Sequence, residues 1–123
     1  MSERRRVAND PDTDMVFRFA GESPHAFAYK VWIRRPADGE WTTCECCEGD
    51  SEDDVADECS LGMLPDGTLL DIPVAVGGAR ESAYRGRVVF TQDGQPVDGG
   101  EIAFSGRTSD DGAGAEYLRV VLS

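Results

Sequence analysis

Four cysteines are the most reactive side chains of the sequence, and they lie close together: Cys44, Cys46, Cys47 and Cys59. Thiolates are soft ligands, and four of them at tetrahedral angles suit Zn²⁺. The spacing differs from the usual zinc arrangement, in which two residues separate paired ligands, and adjacent cysteines on a strand point to opposite faces. The sequence therefore predicts a small structural zinc site in which Glu45 or Asp57 can replace one of the thiolates.

Two other states remain open for these cysteines. A disulfide from Cys44 or Cys46 to Cys59 would pin the intervening segment in an oxidising compartment, and cysteines also serve as small buried apolar residues. A nucleophilic cysteine is disfavoured because the surrounding carboxylates oppose thiolate formation and His25, the single histidine, is distant in sequence. The usual nucleophile and base motifs are absent from the sequence, so we expect a protein that is not an enzyme.

The net charge of −12 is concentrated in one part of the chain. Residues 36–76 contain twelve acids and no lysine or arginine, whereas the other residues carry twelve acids and twelve bases. A local field of one sign indicates a basic partner, a cation or a solvated loop. We predict that this segment docks a protein with a basic surface, as an adaptor or an inhibitor does, and that the docking residues are Trp32, Glu48, Asp50, Glu52, Asp53, Asp54, Asp57 and Glu58.

The acidic field also limits the other partners. It would repel phosphates, which disfavours direct binding of nucleic acid by this chain. The run Asp50-Ser51-Glu52-Asp53-Asp54 is similar to the alternating oxygen ligands of calcium loops, but Val55 and Leu61 stand where such a loop has glycine and glutamate. Trp32 either covers one face of a sheet or is an exposed anchor for a partner.

The elements that must position these residues are β-strands. Five Asp-Gly pairs, which favour tight hairpin turns, begin at residues 38, 66, 93, 98 and 111. Apolar residues recur at every second position between the turns, for example in Phe27, Tyr29, Val31 and Ile33, and this period puts them on one face of a strand. The pattern predicts no helix and about seven strands, at residues 15–20, 26–35, 40–44, 68–76, 84–92, 101–105 and 115–122. Pro73 favours an edge position for the fourth of these.

Short strands with turns between them are typical of two packed antiparallel sheets, with a small closed barrel as the alternative. We predict an all-β fold: a single antiparallel β-sandwich domain over residues 15–123, with an acidic, cysteine-containing loop at 44–60 and a flexible arm at 1–14. No apolar stretch approaches the roughly 20 residues that span a bilayer, and no apolar segment follows Arg4-Arg5-Arg6. A cytoplasmic location without a membrane partner is therefore expected, whereas the oligomeric state is not indicated.

One stretch has the pattern of a known family. It contains Gly86-Arg87-Val88, then Asp93-Gly94-Gln95-Pro96-Val97-Asp98-Gly99, and later Thr108-Ser109-Asp110-Asp111-Gly112 before Tyr117. In these residues the stretch 85–117 resembles the carboxypeptidase regulatory-like (transthyretin-like) sandwich domains. The resemblance implies an immunoglobulin- or transthyretin-like sandwich with a binding or spacer role, and it carries no catalytic residue across.

The zinc site can be tested by native mass spectrometry. Protein purified without chelator should have a mass that includes one zinc ion. It should lose that ion when a chelator is added, because the chelator competes with the thiolates for the metal. A mass that matches the bare chain before any chelation would contradict the site.

Overall fold

The computed structural model describes residues 4–22, 25–37, 39–43, 48–51 and 57–123. Within these residues the chain forms ten strands, which are β1 (Arg5–Val7), β2 (Met15–Gly21), β3 (Ala26–Lys30), β4 (Trp32–Arg34), β5 (Glu48–Ser51), β6 (Asp57–Gly62), β7 (Leu69–Gly77), β8 (Ala83–Gln92), β9 (Gln95–Arg107) and β10 (Ala113–Leu122). The same residues contain no helix that is long and apolar enough to cross a membrane.

The strands form two sheets that pack face to face. The six-stranded sheet has the order β1-β10-β7-β3-β5, with β4 also paired to β7, and the four-stranded sheet has the order β6-β2-β8-β9. Neighbouring strands are antiparallel except for β1 and β10, which are parallel. At one side of the sandwich β1 contacts β9, and at the other side β5 contacts β6. The predicted all-β sandwich is confirmed.

Aromatic side chains fill the space between the sheets. The predicted inward face of β3 and β4 is confirmed, since Phe27, Tyr29, Val31 and Ile33 are each at most 6% exposed. Tyr29 lies across the interface from β2, with its ring centroid 4.4 Å from that of Phe19 and 5.5 Å from that of Phe17. Burial of each such large apolar side chain contributes about 1.5–3 kcal/mol, so the alternating pattern fixes which face of every strand turns inward.

Two of the Asp-Gly pairs have different structural roles. Asp93 and Gly94 both have positive φ, 53° and 73°, and they form the two-residue turn of the β8–β9 hairpin, as predicted. Asp98 and Gly99 instead lie within β9, where the register with β8 shifts. There the carbonyl of Asp98 accepts a 2.9 Å hydrogen bond from the amide of Ala8, so this irregular part of β9 is tied to the N-terminal strand.

The N-terminal residues differ from the flexible arm predicted for residues 1–14. Strand β1 pairs with β10 along its length, and Val7 is fully buried in the core. The edge of β10 offers unpaired backbone groups, and a short strand that also buries an apolar side chain satisfies them. The sandwich therefore begins before residue 15.

Pro73 lies within the sheet rather than at its edge, because β7 has β10 on one side and β3 with β4 on the other. The pairing with β10 is continuous through Pro73. On the other side it stops after Tyr29 opposite Val74 and resumes at Trp32 opposite Asp71, in the same register. The interruption faces Pro73, which lacks an amide hydrogen to donate, so the proline divides β3 from β4 instead of defining an edge.

Two predictions for the middle of the chain are also corrected. In place of the strand predicted at 40–44, the described residues contain one isolated bridge, in which Thr42 and Ile33 exchange 2.8 Å backbone hydrogen bonds. The predicted loop at 44–60 contains strand β5 and most of β6. Acidic residues have low strand propensity, but pairing to β3 and β2 overrides that weak preference.

Two strand glycines, one in each sheet, test the packing. A methyl group at Gly86 would overlap the ring of Phe104, whereas one at Gly77 would meet no atom within 4 Å. We expect Gly86→Ala to lower the free energy of unfolding by about 1–3 kcal/mol and Gly77→Ala to leave it unchanged or raise it by up to about 1 kcal/mol, as measured by urea denaturation. Equal effects of the two substitutions would contradict the packing.

Candidate functional site

The acidic segment is carried by the two strands that meet at one side of the sandwich. Strand β5 is the last strand of the six-stranded sheet and β6 the last strand of the four-stranded sheet, and the two are in contact. The chain thus passes from the edge of one sheet to the edge of the other through residues 52–56. We use the name acidic side for β5, β6 and the segment of sequence between them.

The predicted docking acids that belong to the described residues lie in β5 and β6. Glu48 and Asp50 lie in β5, in register with Lys30 and Ala28 of β3, and Asp57 begins β6. Glu58 is exposed and lies opposite Arg18 of β2. The remaining predicted acids, Glu52, Asp53 and Asp54, lie outside the described residues.

Trp32 lies on the outer face of the six-stranded sheet, near the acidic side. Its neighbours Val31 and Ile33 point into the core, so the indole turns outward and is half-buried. The ammonium nitrogen of Lys30 lies 4.6 Å from its ring centroid, in a cation–π contact. Since Lys30 is in register with Glu48, the indole and the first acidic strand share one region of the surface.

Cys59 is disulfide-bonded, which is the second of the three states that the sequence leaves open for it. Its side chain is 6% exposed and belongs to the core cluster, opposite Phe17 in the pairing of β6 with β2. A disulfide sulfur does not supply a thiolate for zinc. Cys44, Cys46 and Cys47 lie outside the described residues, so the predicted zinc site stays a prediction for the reduced chain.

The described part of the chain brings no group of three or more His, Cys, Asp or Glu side chains into an arrangement that could hold a metal ion. Most of the calcium-like run at residues 50–54 lies outside that part. Metal binding by the acidic side therefore stays a prediction.

A charged cluster that the sequence did not predict is centred on Asp71. This carboxylate is 7% exposed, accepts a 2.7 Å hydrogen bond from Arg4 Nη1 and a 3.0 Å hydrogen bond from Tyr117 Oη, and lies 3.9 Å from Arg119 Nε. Burial and the bond to Asp71 raise the pKa of Tyr117. The guanidinium carbon of Arg4 lies 5.7 Å from the ring centroid of Trp41, so the cluster joins β1, β7 and β10 to the residues after β4.

A serine and a histidine also come within hydrogen-bond distance, although they are 57 residues apart in sequence. Oγ of Ser82 lies 2.7 Å from Nε2 of His25, which is 4% exposed. The hydroxyl also lies within hydrogen-bond distance of the carbonyl of Ala79, 2.8 Å away, and the direction of its bond with His25 depends on the imidazole tautomer. We expect the pair to hold loops together, because a backbone carbonyl competes with a general base for the hydrogen of this hydroxyl.

The neighbours of this pair agree with a structural role. Oγ1 of Thr108 donates to the same Ala79 carbonyl at 2.6 Å and accepts from the amide of Ser82 at 2.9 Å. These bonds tie the β7–β8 connection to the β9–β10 connection. No sequence motif signals this network, because its members come from three separate connections between strands.

Comparisons with known proteins give no further information on the site. No family model, no curated protein and no solved structure matches the chain. The resemblance of residues 85–117 to transthyretin-like domains therefore stays a prediction.

Replacement of Ser82 distinguishes a loop-binding role from a catalytic one. We expect Ser82→Ala to lower the free energy of unfolding by about 1–3 kcal/mol, because it leaves buried partners of the hydroxyl without a hydrogen bond. We also expect a fluorophosphonate probe, which labels activated serines, to leave the wild-type chain unmodified in intact-mass analysis. A covalent adduct on Ser82 would contradict the structural role.

Proposed function

We propose that this protein is a non-catalytic interaction module, an adaptor or an inhibitor, that docks a basic protein surface through its acidic side. The proposal rests on one observation: the strands that carry the most acidic part of the sequence lie next to each other in the fold. The whole excess of negative charge belongs to residues 36–76, and the strands of the most acidic part of that segment, β5 and β6, lie together at one side of the sandwich.

Electrostatics favours a macromolecular partner of opposite charge. Seven acids lie between residues 48 and 58 with no base among them. Such a surface attracts a basic partner over a Debye length of about 8 Å at physiological salt, speeds the encounter and repels acidic competitors. Trp32 lies beside this field and supplies the apolar contact area that a charged surface lacks.

The compartment and the metal are part of the same proposal. A cytoplasmic location and a zinc-bound form of the cysteine cluster require reduced thiols, whereas the disulfide at Cys59 is typical of oxidising compartments. The oxidation state of the cysteines in the native protein therefore distinguishes the two settings. Thiol alkylation of freshly extracted protein measures it directly.

Replacing aspartates by asparagines, which have nearly the same size but no charge, tests the docking. We expect Asp53, Asp54 and Asp57 changed together to Asn to reduce recovery of basic proteins from a native-host extract by about tenfold, because three attractive charges are lost. The reduction should be largest at low salt and should vanish near 1 M salt, where the Debye length is about 3 Å. Quantitative mass spectrometry of the captured proteins gives the measurement.

The matched control changes Asp93, Asp98 and Asp110 together to Asn, an equal loss of charge from exposed residues outside the acidic side. Proteins that bind the acidic side should be recovered equally by the wild type and this control. If the acidic-side variant captures the same proteins in the same amounts as the control does, the docking proposal fails. Loss of solubility without loss of capture would show that the acids serve only to keep the sheet edges from pairing with other molecules.

A further inference from the structure

The ends of the two sheets differ in how well they are protected from pairing with another molecule. An end strand presents unpaired backbone groups, and proteins protect it by keeping it short, charging it or covering it. The six-stranded sheet ends in β1 and β5, which have three and four residues and carry like charges, Arg5 with Arg6 and Glu48 with Asp50. The four-stranded sheet ends in β6, which begins with two acids, and in β9, which is 13 residues long. Strand β9 is therefore the end that is least protected by length and charge.

The first part of β9 is covered by the N-terminal strand, and the second part is not. The carbonyl of Asp98 accepts a hydrogen bond from the amide of Ala8, and a methyl group at Gly99 would overlap the carbonyl of Arg6. Among the described strands, residues 101–107 pair with β8 alone. A cleft of about 660 Å³, lined by residues 102–105 and by residues 116–119 of β10, lies beside them. We call residues 101–107 the β9 edge.

The β9 edge lacks the features that usually block pairing. It contains no proline and no lysine. Its inward residues are Ile102 and Phe104, which are 1% and 6% exposed, and Gly106, so none of them carries a charge. Between its two ends the outward residues Ala103 and Ser105 are small and exposed. Another backbone can therefore approach this edge closely.

The backbone groups of the β9 edge alternate in direction. The amide of Thr108 donates a 3.0 Å hydrogen bond to the carbonyl of Ser82, and the pairing of β9 with β8 continues this register through residues 101–107. In an antiparallel ladder only every second residue exchanges hydrogen bonds with the strand beside it. The even-numbered residues therefore bond to β8. The residues whose amides and carbonyls point away from β8 are Glu101, Ala103, Ser105 and Arg107.

The charges of the β9 edge are complementary to those of a second copy. Glu101 and Arg107 lie three residues to either side of Phe104. When two copies pair antiparallel about a two-fold axis at Phe104, Glu101 of each copy lies opposite Arg107 of the other, and Ala103 lies opposite Ser105. Opposite charges directly across a strand pair are favourable. All four of these residues also direct their backbone groups towards the new strand.

The same register fits the length of the free edge. Arg107 is the last residue of β9, so the strand of the second copy ends opposite Glu101, next to the part of β9 that β1 covers. Residues 108–112, which follow it, connect β9 to β10. The two copies can therefore pair along the whole β9 edge without competing with β1 for the same residues.

We propose that this chain forms a symmetric dimer in which the β9 edge pairs antiparallel with the β9 edge of a second copy. An interface of this kind uses the same patch on both subunits and closes at two copies. It joins the two four-stranded sheets into one, with β6 of each copy at the far ends. The dimer does not depend on the docking function, although it presents two acidic sides to a partner at once.

The mass of the full-length chain in solution tests the dimer. Sedimentation equilibrium at protein concentrations up to about 1 mM should show reversible association from 13.3 kDa to twice that mass. Amide hydrogen exchange should slow with rising concentration at Ala103 and Ser105, whereas the amide of Phe104, which is paired to β8, should exchange slowly throughout. A monomer at every concentration, or association without added protection at Ala103 and Ser105, would overturn the proposal.

Charge reversal at the two ends of the β9 edge tests the register. Glu101→Arg and Arg107→Glu should each weaken self-association about tenfold, because each substitution places like charges opposite one another at both ends of the interface. An equal mixture of the two variants should associate as tightly as the wild type, because every charge faces its opposite in the mixed dimer. Wild-type association of either variant alone, or no recovery in the mixture, would exclude this pairing.

Two further variants separate the interface from general effects of substitution. Asp12→Arg changes the charge of an exposed residue in the β1–β2 connection by the same amount and should leave association unchanged. Ser105→Pro removes an amide hydrogen that the dimer uses and the pairing with β8 does not, so it should abolish association while the urea midpoint stays nearly the same. Undiminished association of Ser105→Pro, or a loss in Asp12→Arg equal to that in Glu101→Arg, would contradict the proposed interface.

Discussion

The stacking of Phe19 on Tyr29 joins the two sheets at the centre of the molecule. Phe19 belongs to β2 of the four-stranded sheet and Tyr29 to β3 of the six-stranded sheet, and Phe17, Phe27 and Phe104 pack around the pair. These contacts fix the inward face of both strands. Because β3 pairs with β5 and β2 pairs with β6, they also determine where the acidic strands lie. The positions of the acidic strands thus depend on the packing of apolar side chains in the core.

The resulting sandwich separates its charges between two sides. Strands β5 and β6 carry acids on one side, and the arginines at residues 4–6 lie at or in β1 on the other. Both sides consist of strands at sheet ends, which is where a sandwich has room for polar side chains without disturbing its core. The field of the acidic side favours a ligand of opposite charge.

The sequence predicts the parts of this structure that depend on local patterns. The period of two places residues such as Val31 and Ile33 in the core correctly, and Asp93-Gly94 forms the predicted hairpin turn because both residues adopt positive φ. The edge position predicted from Pro73 is wrong. The strand pair opposite it, β3 and β4, is interrupted at this point, so a proline without an amide hydrogen fits inside the sheet. The short strand β1 has one buried residue, Val7, and is too short for its periodicity to be recognised.

The candidate sites were harder to predict, because strand order decides which distant residues meet. Arg4, Asp71 and Arg119 come together only because β1, β10 and β7 are consecutive in one sheet, and the sequence does not fix that order. His25 and Ser82 likewise meet through connections at one end of the sandwich. The acidic side, in contrast, was predictable as a run of like charge, although its division between two sheet edges was not.

We propose that the sandwich is a scaffold and that docking resides in the acidic side. Replacing residues 52–56 with a glycine–serine sequence of equal length tests it most directly, since this removes the acids between β5 and β6 and leaves the core residues in place. Capture of host proteins and the urea midpoint should be measured on the same sample. We expect the midpoint to be nearly unchanged while capture of the partner is lost, and full capture by the replaced chain would contradict docking through the acidic side.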